Sequence, residues 1–142
     1  MKLGPLQKQW IRELPKFPKS VGWLAVSKPA TWKKENCITG FCCLGVAAHL
    51  FAKAEWKESP KLYYSADQMH LQYGNNDIML GRALTDQLRL RTSSGVLAKP
   101  VEVEGKIINS LAALNDCFPS KDHSFTAKFI KEHADLVFKG PA

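Results

Sequence analysis

The stretch Phe41-Cys42-Cys43-Leu44-Gly45-Val46-Ala47-Ala48-His49-Leu50-Phe51-Ala52-Lys53-Ala54 decides the fold, because it holds the most apolar run of the chain. At about 100° per residue, Cys43, Leu44, Ala47, Ala48, Leu50, Phe51 and Ala54 fill one broad arc, and Cys42, Val46, His49 and Lys53 line the opposite side. A helix over residues 41–54 that is apolar around most of its circumference belongs in a core, with one edge toward solvent or a cleft. Gly45 in its interior costs about 1 kcal/mol relative to alanine. Such a glycine is tolerated most easily where another backbone or a ligand comes close. The apolar run covers about 12 residues and contains His49, short of the ~20 that span a bilayer.

Outward from this helix, the pattern predicts mostly short elements. Upstream, Leu6, Trp10 and Leu14 recur at helical spacing until Pro15 and Pro18 end the pattern. Residues 21–26 read as a short strand closed by Pro29, and residues 36–40 as a turn. Downstream, residues 58–76 are irregular, with Pro60, the pair Tyr63-Tyr64 and the turn signal Gly74-Asn75-Asn76. Leu80, Leu84 and Leu88 restore helical spacing over residues 78–90, before a Ser93-Ser94-Gly95 turn. Residues 96–103 alternate in part, but Pro100 confines them to an edge strand or an extended loop. A helix over residues 107–114 turns Ile107, Ile108, Leu111 and Leu114 inward, and Asn115 stops it. The last helix, residues 124–138, is capped by Ser124 or Asp122 and carries Phe125, Phe129, Ile130, Ala134 and Val137 on one face. The expected fold is α+β, mainly α: one compact domain over residues 1–142 with a central apolar helix and short edge strands.

Charge is distributed unevenly. Of 20 Lys and Arg and 13 Asp and Glu, residues 1–34 hold eight and one, leaving twelve of each sign beyond them. The formal charge of +7 therefore belongs to this first segment, which is rich in proline and holds Trp10, Trp23 and Trp32. A cationic, aromatic segment beside a neutral body points to an anionic partner. The bland reading is a solvated surface with one or two tryptophans in the core. The start of the chain lacks the apolar run of a signal peptide. A soluble, cytoplasmic protein without a membrane partner is expected.

Cys37, Cys42, Cys43 and Cys117 do not follow a secreted pattern. Adjacent cysteines inside an apolar run behave as small buried hydrophobes, and a reducing compartment fits them. Cys37 and Cys42 are too far apart for paired zinc ligands, and no histidine pair follows at finger spacing, so no metal is expected. A nucleophilic Cys42 or Cys43 needs a neighbouring base or cation such as His49 or Lys53. The buried reading is favoured. His70, His123 and His133 stand in polar surroundings and are expected mostly at the surface.

Phe41-Cys42-Cys43-Leu44-Gly45-Val46, Ser110-Leu111-Ala112-Ala113-Leu114-Asn115-Asp116 and Ser124-Phe125, following Trp10 in this order, resemble a set of small phage and prophage proteins. That set has an early tryptophan helix, a Tyr-Cys-Cys-Leu-Gly-Val core, a Leu-Asn-Asp turn and a final helix led by Ser-Phe. The chain departs from it at Phe41, where tyrosine is usual, and at Ala48-His49, where Cys-Asp is common. The resemblance implies a phage setting, hence an infected bacterial host, and brings no activity with it.

With no catalytic motif, the expectation is a non-enzymatic binding protein without a cofactor. Arg82, Arg89 and Arg91 lie beside the Ser-Gly turn, and arginine forks match phosphate geometry. Tyr63, Tyr64 and Trp32 offer flat rings for stacking on a base. Asn115 is positioned to hold a ribose or base edge, although Asn115-Asp116 also reads as an Asx turn between helices. In a phage setting such a site suggests a sponge for the cyclic or ADP-ribose-type nucleotides that signal bacterial defence. The alternative is nucleic-acid or host-protein binding through the basic segment. A homo-oligomer is compatible with either.

Overall fold

The computed structural model describes residues 1–28, 38–59 and 68–142. Along these run α1 (Pro5–Glu13), a 3₁₀ turn (Leu14–Lys16), β1 (Ala25–Ser27), β2 (Ile38–Phe41), α2 (Cys43–Phe51), β3 (Lys57–Glu58) and β4 (Met69–Gln72). The second half adds α3 (Arg82–Gln87), β5 (Val96–Val103), β6 (Lys106–Ser110), α4 (Leu111–Cys117), α5 (His123–Glu132) and α6 (Ala134–Val137). Strands in the order β2-β1-β4-β3 make an antiparallel sheet, and β5 and β6 make a separate hairpin. Helices pack on both, giving the expected compact α+β domain around a central apolar helix.

The central helix is shorter than its apolar run. Phe41 closes β2, and Cys42 caps α2, its Sγ accepting a hydrogen bond from the Gly45 N–H at 3.3 Å. Every residue from Cys43 to Ala48 is buried, whereas His49 is exposed. The glycine in this helix has its reason in the neighbouring strand. A Cβ at Gly45 would overlap the Leu24 carbonyl, so only glycine lets β1 and α2 approach this closely. Trp10 on α1 is fully buried, donates from Nε1 to the Cys43 carbonyl (3.2 Å) and meets Phe138 edge to face. One of the three tryptophans of the basic segment is thus core. The two ends of the described chain also meet, with the Ala142 carbonyl accepting from the Leu6 and Gln7 N–H groups at the start of α1.

Several sequence expectations change in the structure, among them residues 36–40, read as a turn, of which residues 38–40 belong to β2. Residues 58–76, read as irregular, contain β3 and β4; β4 pairs with β1 at Leu71–Ala25, His70–Val26 and Met69–Ser27. The helix expected over 78–90 is confined to Arg82–Gln87, with Ile78 and Met79 exposed ahead of it. The helix expected from residue 107 begins at Leu111, because Glu104 and Gly105 both take positive φ (46° and 81°) and turn residues 106–110 back onto β5. Ser110 then caps α4 through a 3.0 Å bond from the Ala113 N–H, and Asn115 lies inside this helix rather than ending it. The last helix breaks at His133 into α5 and α6, and Asp122 is its cap, accepting from the Ser124 N–H at 2.9 Å. Pro100 lies on β5 as an edge-strand residue, in a stretch of the hairpin where the register shifts. No helix among the described residues is long and apolar enough to cross a membrane.

Candidate functional site

Two of the three arginines singled out by the sequence share a cleft of about 310 Å³ between the start of α3 and the turn at residues 91–93. Arg82 opens α3 with its side chain 95% exposed, 3.9 Å from Asp86 one turn on. Arg91 is held from behind. Its Nε donates to the Leu136 carbonyl (3.2 Å), and its Nη2 donates to the carbonyls of Asp135 (3.2 Å) and Phe138 (3.3 Å). The fork thereby caps the C-terminal end of α6, where unpaired carbonyls attract a cation. Its Nη1 takes part in none of these bonds, so the charge is fixed in place with donors in reserve.

Hydroxyl and amide groups complete the lining. Thr85 Oγ1 donates to the Gly81 carbonyl (3.0 Å), Ser93 lies beside Met79, and the Asn76 amide donates to the Tyr73 carbonyl (3.3 Å). Tyr73 supports the entrance to α3. Its hydroxyl accepts the Gly81 N–H at 2.6 Å, and burial pushes its pKa up against the opposing effect of that bond. Tyr73 and Asn76 escaped sequence reasoning, although the Gly74-Asn75-Asn76 signal marked the tight turn that brings them together. The cleft thus combines cations, hydroxyls and one acid, Asp86.

The remaining predicted site residues lie elsewhere. Arg89 adopts positive φ (61°), accepts the Lys139 N–H on its carbonyl at 2.8 Å and sets its guanidinium against Gly140; it is not part of the cleft lining. Asn115, on α4, is fully buried against the start of α2. Its Oδ1 accepts the Cys43 N–H (3.1 Å), and its Nδ2 donates to the Ser20 carbonyl and to Asp116 Oδ1 (both 3.0 Å). Asp116 Oδ1 also accepts the Gly22 N–H at 2.9 Å, tying α4 to the approach of β1. Trp32, Tyr63 and Tyr64 lie outside the described residues, as does Cys37.

Within the described part of the basic segment, three cations already have partners in the fold. Lys19 is partly buried and donates to the Phe118 carbonyl at 2.7 Å, and burial lowers its pKa. Glu13 pairs with Lys16 at 3.1 Å and with Arg12 at 3.5 Å. Cys42 and Cys43 are buried; loss of solvent pushes the Cys42 thiol up to about 12 and the Cys43 thiol well above its ordinary value. Neither supplies a thiolate near neutral pH. Among the described residues no group of three or more His, Cys, Asp or Glu side chains is placed to hold a metal ion.

Two histidines expected at the surface are buried instead. His123 is completely covered, with Nε2 2.9 Å from the Phe41 carbonyl. His70 stacks under Trp23 at 3.7 Å, and burial lowers its pKa against the field of Asp77. Asp77 Oδ2 accepts from Ser59 Oγ at 3.0 Å. Serine, histidine and aspartate thus gather on one face of the sheet, but the hydroxyl donates directly to the carboxylate. A hydrolytic triad needs the imidazole between them to take the serine proton. Comparison with protein-family models, curated proteins and solved structures finds no match for this chain.

Proposed function

We propose that this chain is a non-enzymatic binding protein for a phosphorylated small molecule of nucleotide type, held in the cleft of Arg82 and Arg91. The observation that carries this reading is the meeting of those two arginines on one polar cleft, one exposed beside Asp86 and one held by three carbonyls. A held fork loses little freedom when it engages a phosphate, and an exposed one has room to reach it. Asp86 and the Thr85 hydroxyl give the same cleft acceptors for a ribose hydroxyl. Its volume sits at the low end for small-molecule sites, which suits a mononucleotide-sized group. In the cytoplasm of a phage-infected bacterium, the setting implied by the sequence resemblance, such binding would remove a cyclic or ADP-ribose-type defence signal. That role requires affinity and no turnover.

Calorimetry against cyclic mononucleotides, cyclic dinucleotides and ADP-ribose cyclisation products is the direct trial. Micromolar or tighter binding of one class, weakened by Arg82→Ala, is the expected result. If none of them binds, the reading is wrong. A second reading, nucleic-acid binding through residues 1–34, draws on the exposure of Lys2, Lys8, Arg12, Lys16 and Lys28. It predicts affinity that falls steeply with salt, since many phosphate contacts release many counterions.

A further inference from the structure

A second cleft, of about 410 Å³, opens where α1 lies beside α5, remote in sequence from the arginine cleft. Its floor is apolar: Leu3 and Ile11 are half-buried and pack on the core. Its rim is cationic, with Lys8 and Arg12 one turn apart on α1 and Lys131 facing them from α5. Like charges at this helical spacing oppose one another. Of the acids nearest in sequence, Glu13 pairs with Lys16 and with the rim's own Arg12, and Glu132 pairs with Lys128 at 3.9 Å. Lys8 and Lys131 form no ion pair among the described residues. Three cations thus surround partly exposed apolar surface, and among the described residues only Arg12 of the three has an anionic partner, Glu13.

We propose that this groove docks an acidic amphipathic segment of another protein, with an apolar side chain on Leu3 and Ile11 and carboxylates on Lys8, Arg12 and Lys131. Charge complementarity selects the sign of the partner, and the apolar floor selects its kind. A nucleic-acid backbone brings phosphates but nothing to fill the floor. A small amphiphile in so open a cleft would stay largely wet. A helix laid in the groove covers floor and rim together, the usual manner of helix-in-groove recognition.

Fluorescence anisotropy with a labelled amphipathic Glu/Leu helical peptide tests this, alongside a scrambled peptide of the same composition and a single-stranded oligonucleotide. The Glu/Leu helix is expected to bind, and to bind the Lys8→Glu/Lys131→Glu protein about tenfold or more weakly. Ile11→Ser should weaken it comparably, whereas Arg82→Ala should leave it unchanged. Thermal melts identify any variant that has lost its fold, and the exposed Lys8→Glu change alone then serves as the charge test. Absence of peptide binding at high micromolar concentration overturns the proposal. So does equal binding of the scrambled peptide, or oligonucleotide binding that outcompetes the peptide and ignores Ile11→Ser.

Discussion

The junction around Asn115 and the cleft around Arg91 are both built from side chains that bond to distant backbone, yet they differ in what is left over. Asn115 has no exposed surface, and both ends of its amide are engaged, joining α2, α4 and the Ser20 strand approach. Arg91 also bonds three carbonyls, but it does so from an exposed position and with one nitrogen outside those bonds. A polar residue whose bonding capacity is exhausted inside the protein organises the fold. One that is anchored with capacity remaining can hold a ligand. Residue type does not separate these cases; the count of unused donors does.

The strongest way to break this contrast is Asn115→Ala. It leaves the buried Cys43 N–H and the partly buried Ser20 carbonyl without their partner, a loss on the order of 3 kcal/mol. Urea denaturation should show the midpoint falling, while nucleotide affinity of the remaining folded protein stays unchanged. Lost affinity with stability intact would make Asn115 a ligand residue and erase the distinction.

Next in size are the arginines. Arg82→Ala and Arg91→Ala should each lower affinity for a phosphorylated ligand about ten- to a hundredfold, the value of one charge-assisted bond. Only Arg91→Ala should also lower the melting temperature, because only Arg91 caps α6. Arg89→Ala should change neither by as much. Equal effects of Arg89 and Arg82 in calorimetry would show that the ligand reaches beyond the cleft.

A pH titration sharpens the description of the buried side. His123 must donate from Nε2, since the Phe41 carbonyl only accepts, so Nδ1 is a buried bare lone pair. Burial is the main reason its pKa lies below the ordinary 6.5; Lys19 adds to this, and the Phe41 bond and Asp122 oppose it. Above that ordinary value the ring is neutral in folded and unfolded chains alike, and pH has no effect through it. Below it the unfolded chain takes up a proton that the folded chain refuses, so stability falls. His49 and His70 shift the same way. Chemical denaturation at about pH 7.5 and 5.5 should show the loss, and His123→Gln should reduce its size.

The smallest expected effect is the most specific to the cleft. Asp86→Asn removes the only acid among the described residues of its lining and should tighten phosphate binding about two- to fivefold, as expected for an exposed charge. Weaker binding would mean that the carboxylate accepts a ligand hydroxyl more strongly than it repels the phosphate.

Some of this was legible in the chain before any coordinates. The core helix announced itself because residues 43–48 are apolar in every direction, and Gly45 in such a helix already implied the close approach that the Leu24 backbone makes. Helical periodicity also located α1 and α5, since amphipathic spacing is a local property. The arginine cleft was legible in part, because Arg82 and Arg91 are near enough in sequence for one turn to bring them together. Strand β4 was not: Met69-His70-Leu71-Gln72 alternates apolar and polar over only four residues, too few to stand out beside the neighbouring turn signals, and it becomes a strand by pairing with β1. The same holds for residues 106–110: Ile107, Ile108, Leu111 and Leu114 fit helical spacing, but the turn at Gly105 returns the β-branched pair to β5 as a strand. Nor does net charge along a segment state where charge is available. Tertiary contacts placed Lys19 against Phe118 and Lys8 opposite Lys131, whereas local spacing put Arg12 and Lys16 beside Glu13. Local composition therefore determines which residues enter the core, whereas partners distant in sequence decide which polar groups are saturated and which remain open to a ligand.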